Sequence, residues 1–533
     1  MPLAYFAVAV DIMKWPPPGD IIAHGLQVSL LRYNGKILLT LEPLSPDINH
    51  YPRGFHVFVA NLSELTGLYS GETVFITGAF LSALMPSLLF SITYMLTDSF
   101  ALSLIPYITS FHVHSTRHLE KWIFGYFFNG PYPCFSAMIF FMLLISLLVI
   151  FQKENSKIIL YSIILVLSQL FLTYPNFFLT ASLSLLFIGK HLLKIIKSKL
   201  LILILIISSL ATLPTIFTVG LSHIGKLTSD FNQSYKISLS YFSDRTTVSI
   251  FIAIPLAIYM LVKKESVIVS TIYLLTLLVN LISISNNEFI CNLLSVVLPS
   301  RQIILNWMLA WIIISNFLAN FLKHIENILN IRNIYFNLKL CNKCIIKFGL
   351  NKSISYIVKL IFLLLILQIF YIYLFWHFSL SLVNNYSWYT RLHSFTYDYN
   401  ISIWVSQNIP SDELILNDMS FSGLYIPSYT YKNIVFHYFR PPPEYIKARL
   451  IWFYPENASL VMGIIKELKI KWIVVTAERS YLDLWTYGGS SGYKEKPLEP
   501  RQYISIFDNY PFLEKMYEYG DSAVYKVSAS LRE

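Results

Sequence analysis

Long apolar stretches separated by short basic or polar intervals fill the first 383 residues of this 533-residue chain, and they predict membrane-spanning helices. Leu200–Gly220, Arg301–Leu322 and Ile354–Leu382 each reach the roughly 20 residues that cross about 30 Å of hydrocarbon, where only a helix satisfies its own backbone. Val74–Phe111 would make a single helix of about 57 Å, too long for one crossing. Thr97-Asp98-Ser99 interrupts it, so a two-helix hairpin is expected. Lys157–Lys190 is also too long and breaks at Tyr174-Pro175-Asn176, because proline removes a backbone donor and disfavours helix before it. Phe135–Phe151, Val248–Val262 and Ser266–Ser285 bring the count to ten spans. Met1–Met13 adds a short stub, about eleven segments in all; it is too short to span and is read as a first helix that is truncated or begins upstream.

From about Asn384 the pattern changes. Ile401–Asn408 and Ser459–Leu468 show helical periodicity, whereas Glu413–Asn417, Asn433–Tyr438 and Lys471–Thr476 read as strands and Glu514–Tyr519 with Ala523–Val527 as a terminal hairpin. The expected fold class is therefore an α-helical polytopic membrane protein over residues 1–383 with a C-terminal extracytoplasmic α/β domain over residues 384–533.

Charge orients this arrangement. Only 13% of residues are charged and 55% are hydrophobic, against roughly 25% charged in an average soluble domain. Lys153 and Lys157, the cluster Lys190–Lys199, Lys263 and Lys264, and the loop Lys323–Lys352 all fall on one face if both hairpins form, which is the positive-inside pattern. The same parity puts a first outer loop, 14–73, a second, 111–132, and the C-terminal domain together on the extracytoplasmic side. Lysines facing anionic lipid account for most of the net charge of +10, so membrane lipids are the expected partner and nucleic acid is not. Cys341-Asn-Lys-Cys344 supplies two thiols where a structural zinc takes four ligands.

The outer loops hold the candidate chemistry. Asp20 and His24 lie four residues apart after Pro16-Pro17-Pro18-Gly19, on one face if a helix starts at the aspartate. Asp20 could act as a general base or metal ligand, with His24 on a substrate phosphate or on the same metal; equally, Asp20 could only cap the helix. Tyr51-Pro52-Arg53-Gly54-Phe55-His56 either aims Arg53 and His56 at a donor headgroup or is a turn entering an amphipathic helix. Arg301 opens a long span beside the outer face, where a lipid-linked phosphate would sit and a guanidinium grips it bidentately; a snorkelling anchor is the alternative. Asp244-Arg245 repeats that placement and makes Arg245 the reserve cation.

Gly19-Asp20-Ile-Ile-Ala-His24, Leu30-Leu31-Arg-Tyr-Asn-Gly35-Lys36 and Tyr51–His56 resemble the first outer loop of GT-C membrane glycosyltransferases, a superfamily that includes the oligosaccharyltransferase catalytic subunit, protein O-mannosyltransferases and aminoarabinose transferases. Trp404-Val-Ser-Gln-Asn-Ile-Pro410 and Leu468-Lys-Ile-Lys-Trp-Ile-Val-Val475 are similar to signatures of their C-terminal domains. The resemblance implies an inverting transfer of a sugar from a polyprenyl phosphate or pyrophosphate donor to a glycan, lipid or protein acceptor outside the membrane. It gives Asp20 the part of activating the acceptor or holding a divalent cation.

One departure stands out. Family members often carry an acidic pair in the second outer loop, and this chain has His112-Val-His114-Ser-Thr-Arg117-His118-Leu-Glu120. His114 and His118 are one helical turn apart and could chelate a divalent metal with His112 or Glu120; imidazoles favour zinc or manganese over magnesium. An interfacial helix among lipid headgroups explains the same residues. The alternative to an enzyme is a non-catalytic transporter or assembly scaffold whose outer domain binds a partner.

Overall fold

The computed structural model describes residues 21–36, 40–41, 45–48, 54–110, 132–154, 156–192, 248–283, 299–331, 335–339, 345–349, 392–430, 432–436, 443–478, 480–482 and 493–528. The predicted spans Leu200–Gly220 and Ile354–Leu382 and the stub Met1–Met13 lie outside the described residues.

Two helices, α1 (Ile21–Asn34) and α2 (Gly54–Thr66), flank a small hairpin of β1 (Thr40–Leu41) and β2 (Ser45–Ile48). The membrane helices follow as α3 (Ser70–Thr97), α4 (Phe100–Thr109), α5 (Tyr132–Glu154), α6 (Lys157–Thr173), α7 (Pro175–Leu192), α8 (Val248–Val262), α9 (Val267–Ser283) and α10 (Pro299–Ile331). Within α3, α5 and α10, the stretches Ser70–Thr97, Tyr132–Glu154 and Ile304–His324 are long and apolar enough to cross a membrane. The chain is an integral membrane protein.

Both expected breaks occur. Asp98 ends α3 in a left-handed conformation at φ 51°, and the Ser99 side chain caps α4 by accepting from the Leu102 amide. Tyr174 separates α6 from α7. Helix α4 is ten residues long, about 15 Å, so its described part is short of a crossing. The Lys153 ammonium donates to the Met95 carbonyl at 2.8 Å, which ties the last turn of α5 to the last turn of α3. These two ends therefore lie together, as a real hairpin between them requires.

One expectation is corrected at the basic loop 323–352. Helix α10 continues to Ile331, and β3 (Tyr335–Lys339) pairs antiparallel with β4 (Ile345–Gly349). Lysine and asparagine do not stop a helix, and the apolar alternation that marks these strands is hidden among the basic residues.

The C-terminal domain begins with α11 (Leu392–Asn408), β5 (Leu414–Asn417), α12 (Phe421–Tyr425) and a 3₁₀ turn at Ile426–Ser428. It continues through β6 (Asn433–Ile434), α13 (Arg449–Phe453), α14 (Ala458–Leu468), β7 (Trp472–Val475), β8 (Ser480–Leu482), β9 (Tyr493–Glu495), α15 (Pro500–Asp508), β10 (Leu513–Tyr519) and β11 (Ser522–Val527). The main sheet has the order β10-β11-β7-β5-β6, with β5 parallel to both β6 and β7 and the remaining pairs antiparallel. Strands β5 and β7 are buried throughout because α11 and α14 cover the sheet with Ile401, Val405, Val461, Ile464 and Ile465. Strand β6 is two residues long, shorter than Asn433–Tyr438 predicts, because the Asn417 side chain replaces the ladder: its carbonyl accepts from the Phe436 amide and its amide donates to the Phe436 carbonyl.

Candidate functional site

Helix α1 is buried over Ile21–Leu30, unlike a solvated loop helix, because it lies between the membrane helices and the C-terminal domain. The close fit depends on glycine. A Cβ on Gly25 would stand 2.4 Å from Ser428 Oγ, and one on Gly71 would stand 2.7 Å from the Tyr429 ring. Hydrogen bonds hold the same contact: Ser29 Oγ to the Thr430 carbonyl at 3.1 Å, Tyr425 Oη to the Gly71 carbonyl at 2.9 Å, and Tyr399 Oη to Glu72 Oε1 at 2.6 Å. Burial and the Glu72 carboxylate both raise the Tyr399 phenol, so it stays a donor. The segment carrying α1 and α2 and the C-terminal domain thus occupy one side of the helix bundle.

Within the loop, α1 and α2 run parallel. His24 Nδ1 meets His56 Nε2 at 3.0 Å near the two helix starts, while Arg32 Nε donates to Glu64 Oε1 at 2.7 Å near the two ends. Each pair spans 32 residues, so the helices lie in step. Arg32 also reaches Ser63 Oγ and the Leu68 carbonyl, which closes the far end of the pair. Gly54 presses the start of α2 onto the end of α6, where an added Cβ would stand 2.7 Å from the Leu172 backbone.

Both imidazoles are buried, His24 at 2% and His56 at 0% exposure. Burial, and then the neighbouring His56, hold the His24 ring well below its usual pKa, so His24 is neutral, and the two rings share a hydrogen bond. Phe55 packs between this pair and Tyr132, and Tyr132 fills the space beside Gly78. The described starts of the two helices lie side by side, and helix N-termini in general suit an anion.

The structure therefore brings His24 and His56 together. Asp20, Arg53, Arg245, His112, His114, His118 and Glu120 themselves lie outside the described residues. Arg301 belongs to the first turn of α10. Among the described residues, no three His, Cys, Asp or Glu side chains converge as a metal site.

No family model and no curated protein matches the sequence. Solved structures do match the fold. ArnT from Cupriavidus metallidurans bound to undecaprenyl phosphate aligns with a TM-score of 0.54 at 10% identity, over 100% of this chain and 97% of that one. The chain shares the fold of ArnT. The same ArnT in the apo state aligns at 0.50 and 11% identity, over 99% and 98% of the two chains. Archaeal oligosaccharyltransferase AglB from Archaeoglobus fulgidus, in complex with an inhibitory peptide and a dolichol-phosphate, gives 0.45 at 10% identity over 89% of this chain and 68% of AglB. The Asp20–His24 and Tyr51–His56 patterns do not signal what locks the two helices, the Arg32–Glu64 ion pair and the Tyr399–Glu72 bond. Only the i, i+32 repetition of partners could have signalled the parallel pairing, and no local pattern encodes it.

Proposed function

We propose that this protein is a membrane glycosyltransferase that moves a sugar from a polyprenyl-phosphate or -pyrophosphate donor to an acceptor on the extracytoplasmic side. The observation that carries this reading is the match over the whole chain to ArnT, whose structure holds undecaprenyl phosphate. The paired starts of α1 and α2 support it, because they suit the phosphate of such a donor.

The reaction proposed is a single displacement with inversion. Asp20 takes the proton of the acceptor hydroxyl as its oxygen bonds to the anomeric carbon, the bond from that carbon to phosphate oxygen breaks, and the phosphate leaves with the electron pair. Arg301, with Arg53 and Arg245 as further cations, stabilises the charge on the departing phosphate. His24 and His56 set the spacing of the two helices that present Asp20 and Arg53. A divalent ion would take His112, His114, His118 and Glu120 as ligands and would screen the same charge; the steps above run through the chain's own residues.

Mass spectrometry of surface glycans and lipid-linked sugars after deletion of the gene tests the proposal. A missing glycan modification with a build-up of one polyprenyl-linked sugar is expected, restored by the wild-type gene but not by an equally expressed Asp20→Ala variant. Unchanged glycans and lipid pools would overturn it.

A further inference from the structure

Six Asn-x-Ser triplets occur along the chain, at Asn61, Asn232, Asn351, Asn385, Asn400 and Asn457, none with proline in the middle. The pattern is an acceptor for an N-linked glycan, a bulky modification of surface positions. The triplets at Asn61, Asn400 and Asn457 lie among the described residues, and the fold treats them differently.

The first two are closed off. Asn61 stands inside α2, and Ser63, the hydroxyl of its triplet, is buried, where it donates to the Leu68 carbonyl and accepts from Arg32, both at 2.7 Å. Asn400 stands half-buried inside α11, with its carboxamide donating to the Thr396 carbonyl at 2.8 Å. Its partner Ser402 is buried and donates to the Asp398 carbonyl at 2.9 Å. In both helices the serine is turned into the protein, so asparagine and hydroxyl cannot be grasped together from outside.

Asn457-Ala458-Ser459 is open. Asn457 precedes α14 with a backbone outside the helical region, φ −87° and ψ 84°, and both Asn457 and Ser459 are exposed. The turn that carries them is fixed from below: the Tyr510 hydroxyl donates to the Pro455 carbonyl, and the Asn457 amide donates to the Tyr454 carbonyl at 3.2 Å. The Asn457 carboxamide oxygen caps α14 by accepting from the Leu460 amide at 3.0 Å, and the nitrogen takes no part in that bond. A substituent on Nδ2 therefore leaves the cap in place.

We propose that Asn457 is an N-glycosylation site, at which an oligosaccharyltransferase uses this chain as its acceptor. Asn457 Nδ2 bonds to the anomeric carbon of a polyprenyl-pyrophosphate-linked glycan, the bond from that carbon to the pyrophosphate oxygen breaks, the lipid pyrophosphate leaves with the electron pair, and the nitrogen gives up one proton. The inference rests on the extracytoplasmic placement of the C-terminal domain in the proposed function, because such donors are used there; it does not depend on the chain's own transfer activity.

The test is mass spectrometry of the full chain purified from its native host. Trypsin releases residues 450–466, in which Asn457 is the one asparagine. A peptide mass raised by a glycan, with fragments that place it on Asn457, is expected. The increment should vanish in Asn457→Asp, which keeps the capping oxygen, and in Ser459→Ala, which keeps the asparagine. The peptides with Asn61 and Asn400 should be bare, and a glycan on either would refute the selection by exposure. An unmodified 450–466 peptide, or a glycan that survives Ser459→Ala, would overturn the proposal. Labelling of intact cells with a membrane-impermeant maleimide at Lys466→Cys, an exposed position, separates the two readings: label with a bare Asn457 overturns this site alone, and no label with a bare Asn457 overturns the extracytoplasmic placement as well.

Discussion

The contact between α1 and the C-terminal domain can be tested with a pair of substitutions that should compensate. Gly25→Ala places a methyl carbon 2.4 Å from Ser428 Oγ, 2.8 Å from Ser428 Cβ and 3.0 Å from the Tyr425 ring. Distances below 3 Å cannot be absorbed without movement, and Ser428 is buried in the 3₁₀ turn Ile426–Ser428. Overpacking of this kind costs about 1–3 kcal/mol. Ser428→Gly removes the two nearest atoms, and with them a buried hydroxyl that has no partner among the described residues. Its own penalty is the added freedom of glycine, roughly 0.5–1 kcal/mol. The double variant should therefore be more stable than Gly25→Ala alone, with a favourable coupling of about 1–2 kcal/mol. Thermal unfolding of the intact protein in nanodiscs, followed by protease release of the C-terminal domain, measures all four corners of the cycle. A neutral Gly25→Ala, or additive effects of the two changes, would show that α1 does not seat against Ser428.

Other consequences are equally direct. Lys496→Met leaves Asp418, which is 1% exposed, without its cation, and should destabilise the protein by about 3–5 kcal/mol; pulse proteolysis would detect the loss, and a change below about 1 kcal/mol would show that solvent screens the pair. Asp398 accepts from the Ala477 and Glu478 amides and from Ser522, yet burial pushes its carboxyl up to about 7. Because this folded pKa is raised, the stabilisation is complete below about pH 4 and is lost as pH rises through about 7; hydrogen exchange of residues 472–478 should quicken beyond its intrinsic rise over that range, and Asp398→Asn should flatten the response. His24 has the opposite sign. Its depressed pKa makes its contribution full above about pH 6.5 and lost as acid protonates the pair, so acid should loosen α1 from α2 first, and uniform protection of both helices down to pH 5 would contradict this.

Much of the fold was legible because the dominant signals are local. Asp98 and Pro175 break the chain where length demands a break, and β7 is an uninterrupted apolar run, Trp-Ile-Val-Val, bounded by polar residues. The elements that were missed have no such signature. Helix α15 starts with Pro500 and a Glu499–Gln502 capping box, but Arg501, Gln502, Ser505 and Asp508 make it as polar as a loop, and it is held by Tyr503 and Phe507 packing on Trp452. Tertiary contact, not propensity, decides such a segment.

The candidate site divides along the same line. A histidine four residues after an aspartate is a local pattern, and His24 lies in α1. That His24 faces His56 is not local, because two helices separated by a β-hairpin can return either antiparallel or parallel. The parallel choice follows from partners at both ends: exchanging the direction of α2 would carry Glu64 away from Arg32 and leave two buried imidazoles without each other. Reversal would separate both pairs, Arg32 from Glu64 and His24 from His56, so the two contacts together favour the parallel arrangement.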